Sequence, residues 1–229
     1  MRDEAIASTS PLDRPVWHAL TGRQSGLAVG DGRAVRFRPE IGPLAACANA
    51  DDASALADLA GDGEIWIVEK TPPASPPGMT VVRSALCCQM IASSITPQTR
   101  MFDFHDLGDG DAAEMFALAT LTAPGPFAEK THMLGGFIGI RENGRLLAMA
   151  GERMKPGMFT EVSGVCTHPD ARGRGYAGFL MRVVASRILE RGERPFLHSY
   201  ANNAGAIALY RSLGFAEHQS ITAIVLKRG

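Results

Sequence analysis

Two glycines and two arginines stand close together in residues 172–177, which read Arg-Gly-Arg-Gly-Tyr-Ala. An apolar, β-favouring run ends just before them at His168 and Pro169, since proline cannot donate a hydrogen bond to a neighbouring strand. Downstream, apolar residues recur at helical spacing. Gly173 and Gly175 let the loop backbone curl and approach a ligand closely. Because such a loop directs unpaired N–H groups to the positive end of a helix dipole, the sequence predicts a phosphate or pyrophosphate site.

Regular elements on both sides would position this loop. From about residue 98, the apolar spacing predicts the order β-α-loop-β-β-β-α-β-α-β. The predicted strands cover residues 99–107, 137–141, 146–150, 158–167, 195–200 and 221–226, and the predicted helices cover residues 112–121, 176–191 and 204–213. Asn203 is a natural helix cap, and Gly192 and Gly214 favour helix ends. The loop is therefore expected between a strand and the N-terminus of a helix.

The first ninety-odd residues have a pattern of their own. It predicts a helical turn at residues 16–20, a hairpin at 27–37, a helix at 51–59, and strands at 64–69 and 80–86, the last continued to 92. A stiff connector with four prolines separates the two strands. Neither a glycine-rich loop nor paired acid and base residues stand out in this part. We therefore predict two domains, a smaller α/β unit at residues 1–96 and a second domain at residues 97–229.

The composition is typical of a soluble globular protein, with 45% apolar and 21% charged residues. A formal net charge of −1 gives no global attraction to nucleic acid or to an anionic membrane. No apolar run approaches the roughly 18 residues that span a bilayer, and acids stand where a signal peptide would be basic. The four cysteines lack zinc-ligand spacing and disulfide density. We expect a cytoplasmic protein with reduced, buried thiols and no bound metal.

A second motif follows the loop at a suitable distance. Residues 203–215 read Asn-Ala-Gly-Ala-Ile-Ala-Leu-Tyr-Arg-Ser-Leu-Gly-Phe. Together with residues 172–177, this motif resembles the GNAT superfamily of acyl-CoA N-acyltransferases from about residue 98 to the end. Its form is similar to the glycine-N-acyltransferase-like branch. The resemblance implies an α+β fold with a central mixed, mostly antiparallel sheet flanked by helices, and acetyl transfer from acetyl-CoA to a primary amine by direct attack in a ternary complex.

The resemblance also implies roles for single residues. The loop amides would bind the CoA pyrophosphate, and the strand before the loop, which splays from its neighbour in the family, would contact the pantetheine arm and the acyl carbonyl. The Tyr210 hydroxyl would protonate the leaving thiolate, unless Tyr210 is simply a core tyrosine. Direct transfer needs no acyl-enzyme, so no cysteine nucleophile is expected. The implied CoA-binding residues are Val165, Cys166, Thr167, Arg172, Gly173, Arg174, Gly175, Tyr176, Ala177 and Asn203.

An amine nucleophile must lose a proton, which requires a base or a water relay. Glu161, three residues before Gly164 on the same predicted strand, is the best candidate for the base. On a regular strand Glu161, Ser163 and Val165 share a face, unless a bulge at Gly164 alters the register. A solvent-facing strand carboxylate is the alternative interpretation of Glu161. Weaker candidates on neighbouring strands are Glu152, His198 and Tyr200.

The end of the chain departs from the family pattern. Members commonly finish with two strands after the last helix, whereas only residues 217–227 remain here. One hypothesis is that the N-terminal unit, itself a degenerate GNAT-like half, supplies the missing edge pairing. Two separate units with no shared sheet would contradict it.

Two further questions concern the class of protein and its partners. A GNAT fold that senses acyl-CoA or docks a partner without catalysis is the alternative function, but the intact loop with Asn203 and Tyr210 favours an enzyme. A Rossmann protein would carry its glycines after the first strand, and a Walker lysine is absent. The sequence leaves the acceptor open between an amino acid, a polyamine, an antibiotic and a protein N-terminus. It also leaves monomer and homodimer open.

Overall fold

The computed structural model describes residues 10–97 and 100–229. Most of the predicted elements are confirmed with small shifts at their ends. In chain order the described elements are α1 (Pro15–Leu20), β1 (Ala28–Gly30), β2 (Ala34–Phe37), β3 (Ala45–Cys47), α2 (Ala55–Ala60), β4 (Glu64–Glu69), β5 (Met79–Ile91), β6 (His105–Asp106), α3 (Ala112–Thr122), β7 (Ile138–Glu142), β8 (Arg145–Glu152), β9 (Phe159–Thr167), α4 (Tyr176–Glu190), β10 (Arg194–Tyr200), α5 (Ala204–Leu213) and β11 (Ala216–Arg228).

The strand predicted at residues 99–107 is mostly wrong. Residue 99 lies outside the described residues, and only β6 is a strand in the remainder. The alternating aromatic side chains cover α4 instead of a neighbouring strand: the Phe102 ring centroid lies 4.8 Å from that of Tyr176, and the Phe104 centroid lies 5.7 Å from that of Phe179. The alternation of aromatic residues at positions 102 and 104 reflects packing against a helix. From the sequence alone this pattern cannot be distinguished from that of a strand in a sheet.

Eight strands form one mixed sheet in the order β4-β11-β5-β10-β9-β8-β7-β6. Only β9 and β10 pair in parallel among these neighbours, and the other pairs are antiparallel. A second sheet of three short strands, β1-β2-β3, packs beside β4. The predicted α+β class, with a mixed and mostly antiparallel sheet flanked by helices, is confirmed.

The two faces of the large sheet are covered by different parts of the chain. On one face α4 packs on β7, β8 and β9, with Phe179 and Val184 in a core that also contains Val162 and Leu197. On the other face α3 packs on β8 and β9. The remainder of that second face carries the N-terminal segment around α1, which packs on Phe196. We call this second face the α3 face.

The strand β5 lies inside the large sheet, between β10 and β11. Its residues from Cys87 to Ile91 pair with β10, and nearly its whole length pairs with β11. The expectation that the N-terminal part completes the sheet is confirmed, although β5 sits in the interior and β4 provides the edge. The last strand is also longer than predicted, because β11 begins at Ala216 rather than at residue 221. The predicted domain boundary at residue 97 therefore falls between strands of a single sheet.

No helix in the described part of the chain is long and apolar enough to cross a membrane.

The position of β5 leads to a prediction for a fragment of residues 97–229. Without β5, the fragment leaves β10 and β11 without the strand that joins them, and Phe196 and Ile221 lose their buried surroundings on the α3 face. We expect the fragment to be insoluble or to unfold without a cooperative transition, as measured by circular dichroism during heating. A soluble fragment with one sharp transition would contradict this expectation.

Candidate active site

The strands β9 and β10 pair at only three positions, from Phe159 with Arg194 to Glu161 with Phe196. Beyond the last pair the two strands separate, as the resemblance implied. Val165, Cys166 and Thr167 then lie on one side of the gap, and the end of β10 lies on the other. The backbone groups of β9 that face the gap are consequently open to a ligand.

A β-bulge at Gly164 shapes this side of the gap. Gly164 has a φ of +63°, and the ladder between β8 and β9 shifts its register at this point. Any Cβ at Gly164 would lie 2.7 Å from the ring of Phe137, so both the backbone angle and the space require glycine. Val162 and Val165 both contact the core under α4, which a regular strand would not allow. Glu161 and Val165 therefore lie on opposite faces of the sheet, because the bulge at Gly164 alters the register of β9.

The loop of residues 172–177 forms an open cradle of amides at the N-terminus of α4. Gly173 and Gly175 have φ angles of +78° and +90°, and a Cβ on either would meet no atom within 4 Å. No hydrogen bond within the described residues uses the N–H groups of residues 173–178. Six unused donors at the positive end of a helix fit a diphosphate.

The side chains around the cradle divide into paired and unpaired groups. Arg174 donates to the Glu142 carboxylate over 2.9 and 3.0 Å, and the Tyr176 hydroxyl donates to the same carboxylate. Arg172 is exposed, with no ion pair to any described residue. Of the two arginines, Arg172 is thus the one whose charge is not already balanced by an acid. Ala177 is half-buried in the first turn of α4.

Thr167 adds a second unsatisfied group beside the gap. Its Oγ1 is buried and has no hydrogen-bond partner among the described residues. Buried hydroxyls nearly always have a partner in native proteins. A polar ligand group in the gap would supply one.

A cleft of about 140 Å³ opens next to the gap. Its walls come from β4, from Leu44 just before β3, from β5, β10, β11 and α5, and from the loop around Gly125. The lining residues are Leu44, Trp66, Val68, Cys87, Pro124, Gly125, Pro126, Arg153, His198, Ser199, Tyr200, Asn203, Tyr210 and Ala223. Residues from both predicted domains therefore build one cleft.

Tyr210 and Asn203, both on or next to α5, line the cleft. Tyr210 is half-buried, and its hydroxyl makes no hydrogen bond to the described residues. Burial raises the pKa of the Tyr210 hydroxyl, so the phenol keeps its proton at neutral pH. The Asn203 side chain accepts from the Ala206 amide over 3.2 Å, which confirms its predicted role as the cap of α5.

Glu161 belongs to a buried cluster of charges behind the cleft. Its side chain is 1% exposed, and Arg153 clasps it with two hydrogen bonds, from Nε over 2.8 Å and from Nη2 over 2.7 Å. His198 Nδ1 lies 2.7 Å from the same carboxylate. Burial alone would raise the pKa of Glu161, but the charge of Arg153 and the hydrogen bonds from Arg153 and His198 lower it to about 2.

A chain of amides fixes the proton on His198. Gln89 Nε2 donates to the Leu12 carbonyl over 3.0 Å and to His198 Nε2 over 2.9 Å, and Gln89 Oε1 accepts from Gln219. The imidazole therefore accepts at Nε2 and carries its proton on Nδ1, which donates to Glu161. This network places His198 in the wall of the cleft and Glu161 behind it.

The cysteines are buried or half-buried and none forms a disulfide, as expected. Burial raises the pKa of both Cys166 and Cys87 to about 11, so both remain thiols at neutral pH. The Cys166 side chain packs against Met149 under α3. The described residues include no cluster of three or more possible metal ligands among histidine, cysteine and acidic side chains.

Comparison with known proteins decides the family. A protein of Novosphingobium aromaticivorans, assigned to the acetyltransferases of the GNAT family, is 50% identical to this chain. The match covers 96% of this chain and 99% of that one, with a TM-score of 0.91. The chain belongs to the GNAT family. It is therefore an acyltransferase by family.

Other comparisons agree with the GNAT assignment. The family model described as FR47-like protein matches residues 137–223. Two solved structures share the fold at low identity: a GCN5-related N-acetyltransferase from Kribbella flavida and a GCN5-related N-acetyltransferase-like protein from Streptococcus suis. The first is 20% identical with a TM-score of 0.60, covering 93% of this chain and 95% of that chain, and the second is 16% identical with a TM-score of 0.58, covering 93% and 92%. No curated protein matches the chain significantly.

The sequence did not predict that residues from the N-terminal part of the chain line this cleft. Trp66 and Val68 lie on a strand that reads as an ordinary apolar strand, and nothing in that pattern points to a ligand site. Arg153 was also missed, since its partner Glu161 is eight positions away and the pairing depends on the turn between β8 and β9. His198, a weaker candidate from the sequence, is the candidate base that lines the cleft together with Tyr200.

The bulge at Gly164 gives a first prediction for this site. Gly164→Ala should lower the free energy of unfolding by about 2–4 kcal/mol, because a left-handed backbone angle and an overlap with Phe137 both disfavour a methyl group. Gly205→Ala is the matched control, since its Cβ would meet open space in a helix and should stabilise slightly. Urea unfolding of both variants measures the difference. Equal effects would show that Gly164 is not constrained.

The buried cluster gives a second prediction. Glu161→Gln leaves the Arg153 guanidinium without its counter-charge and should lower the free energy of unfolding by about 3–5 kcal/mol near neutral pH. The pKa of Glu161 is lowered on folding, so its contribution is present above the ordinary value of 4.5 and is lost as the pH falls towards 2. Urea unfolding at several pH values should show the variant and the wild type converging over that range.

The exposed pair of Arg211 with Glu217 supplies the control for this measurement. Glu217→Gln should change stability by less than about 1 kcal/mol at any of these pH values, because solvent screens the pair. A Glu161→Gln protein as stable as this control would contradict the role given to the buried cluster.

Proposed function

We propose that this GNAT-family protein transfers the acetyl group of acetyl-CoA to a primary amine by direct attack in a ternary complex. Three features support the proposal: the open gap between β9 and β10, the unused loop amides at the N-terminus of α4, and the unbonded Tyr210 hydroxyl in the cleft beside the gap. The second motif and the FR47-like match favour a place in the glycine-N-acyltransferase-like branch.

The binding of CoA follows from the groups that lack partners in the protein. The N–H groups of residues 173–177 would hold the pyrophosphate, and Arg172 would add a positive charge that no described acid balances. The arm would enter the gap beside Val165, Cys166 and Thr167, where β9 no longer pairs with β10. Asn203 would contact the arm from the start of α5.

The reaction is an exchange of a thioester for an amide. The neutral amine attacks the acyl carbon, the C–N bond forms, and the C–S bond breaks with its electron pair on sulfur. Tyr210 would donate its proton to that thiolate, and burial raises the pKa of the phenol, so that it still carries this proton at neutral pH. The nitrogen loses one proton, and that proton returns the phenolate to phenol through water in the open cleft.

We assign Glu161 a part in this reaction that differs from a simple base. A carboxylate with a pKa near 2 is a weak base at neutral pH, and it lies behind His198 and Arg153. The observation favours the water relay for deprotonation of the amine, with Glu161 holding the His198 and Arg153 side chains at the cleft wall. Glu161 then acts as a positioning residue.

Tyr210→Phe tests the proposed acid. The variant should lower kcat about 100-fold or more, because a general acid contributes two to four orders of magnitude, while the KM for acetyl-CoA stays within about threefold. Release of free CoA thiol with a panel of primary amines measures both constants. Wild-type turnover in a pre-steady-state measurement of the acyl-transfer step would show that Tyr210 is not the acid.

Gly175→Glu is the companion variant in this experiment. It introduces a carboxylate at the amide cradle, where the left-handed backbone also disfavours a side chain, and should abolish acetyl-CoA binding in calorimetry. Acetyl-CoA binding by the wild type without thiol release for any amine would favour a non-catalytic acyl-CoA sensor.

A further inference from the structure

We propose that the acceptor is an amine that also carries a carboxylate and an apolar or aromatic body of about one ring, as in a large apolar α-amino acid. This inference rests on the proposed function and names the class of its second substrate. It depends on the shape, polarity and charge of the cleft described above, to which β4, β5, β10, β11 and α5 contribute.

The size and surface of the cleft set the body of the acceptor. Trp66, Val68 and Ala223 lie next to one another on neighbouring strands, and Leu44 lies beside Trp66 in an isolated β-bridge. An apolar cavity of about 150 Å³ accepts a benzene ring, and this cleft measures about 140 Å³. One ring or a branched chain therefore fits, and burial of its apolar surface stabilises the complex.

The Arg153 guanidinium provides the polar anchor. Nε and Nη2 are both committed to Glu161, while Nη1 makes no hydrogen bond to the described residues. Nη1 keeps some exposure to solvent, and Arg153 lines the cleft beside Gly125. Its two N–H groups are thus available to a ligand. A carboxylate oxygen is the acceptor that a guanidinium binds best.

The charges around the cleft disfavour acceptors with several ammonium groups. The described residues that line it include no aspartate or glutamate, and the buried Glu161 is already shared by Arg153 and His198. At the rim, Arg83 lies over the Trp66 ring at 5.1 Å from the centroid. A polyamine or a polycationic antibiotic would bring its charges next to the guanidinium groups of Arg83 and Arg153, and no acidic side chain among the described lining residues would balance them. A zwitterion supplies its own counter-charge.

A comparison of acceptors tests the inference directly. With acetyl-CoA at saturation, L-phenylalanine should give a kcat/KM at least about tenfold above that of L-phenylalaninamide, which lacks the carboxylate, and of L-alanine, which lacks the ring. Spermidine should be the poorest acceptor. Equal values for phenylalanine and its amide, or a preference for spermidine, would overturn the inference and leave the proposed function intact.

Variants separate the two recognition elements. Trp66→Ala should reduce the preference for phenylalanine over alanine about tenfold, whereas Phe116→Ala, an aromatic truncation on the outer surface of α3, should leave this preference unchanged. Arg153→Lys keeps a positive charge beside Glu161 but loses the two available N–H groups of Nη1. It should therefore reduce the preference for phenylalanine over its amide. If this variant does not fold, the comparison of L-phenylalanine with L-phenylalaninamide on the wild type still tests whether the carboxylate is recognised.

Binding distinguishes failure of the inference from failure of the proposed function. Calorimetric titration of L-phenylalanine into the wild type with CoA present should show binding that phenylalaninamide and spermidine do not match. Binding with no thiol release would support the acceptor class and contradict the enzyme. Thiol release with other amines but no binding of phenylalanine would contradict the acceptor class alone.

Discussion

The carboxylate of Glu161 lies at the last position where β9 and β10 pair, and it connects three elements there. It binds Arg153 from the turn after β8 and His198 from β10, while its own backbone continues β9. Beyond it the two strands separate. Forming a buried salt bridge costs free energy of desolvation, and breaking it leaves a buried charge without a partner. The cluster is therefore a rigid point, and the gap opens beyond it. The position of the cleft walls depends on this cluster.

The second support of the gap is steric. The ring of Phe137 occupies the space that side chains at Gly151 and Gly164 would need, with a Cβ at Gly151 only 2.4 Å from it. Two glycines on neighbouring strands thus let an aromatic ring pack against the sheet, and the bulge at Gly164 turns Val165 towards the α4 core. The bulge at Gly164 thus shapes β9 beside the gap, and Glu161 on the same strand connects it to Arg153 and to His198 on β10.

Sequence patterns predicted the parts of this structure that depend on local physics. The glycine loop, the cap at Asn203 and the helices α3, α4 and α5 follow from backbone freedom, capping and apolar spacing, and all lie where they were expected. Other contacts join residues that are far apart in the sequence or separated by a turn. Trp66 lines the cleft, Arg153 binds Glu161, and Gln89 binds His198. No local pattern encodes such meetings, because they are set by the order of strands. The same reason explains residues 100–107, where alternating aromatics pack on α4.

The interior place of β5 has a consequence for how the chain is made. Ile91 pairs with Phe196 and Ala216, more than a hundred positions later, so the ribosome must synthesise the chain past residue 216 before β5 meets both partners. Until then Met90 and Cys87, which end up buried, have no sheet to cover them. Long-range pairing of this kind slows folding and exposes nascent strands to aggregation. The emerging N-terminal segment is therefore the part of the protein with most to gain from a chaperone during synthesis.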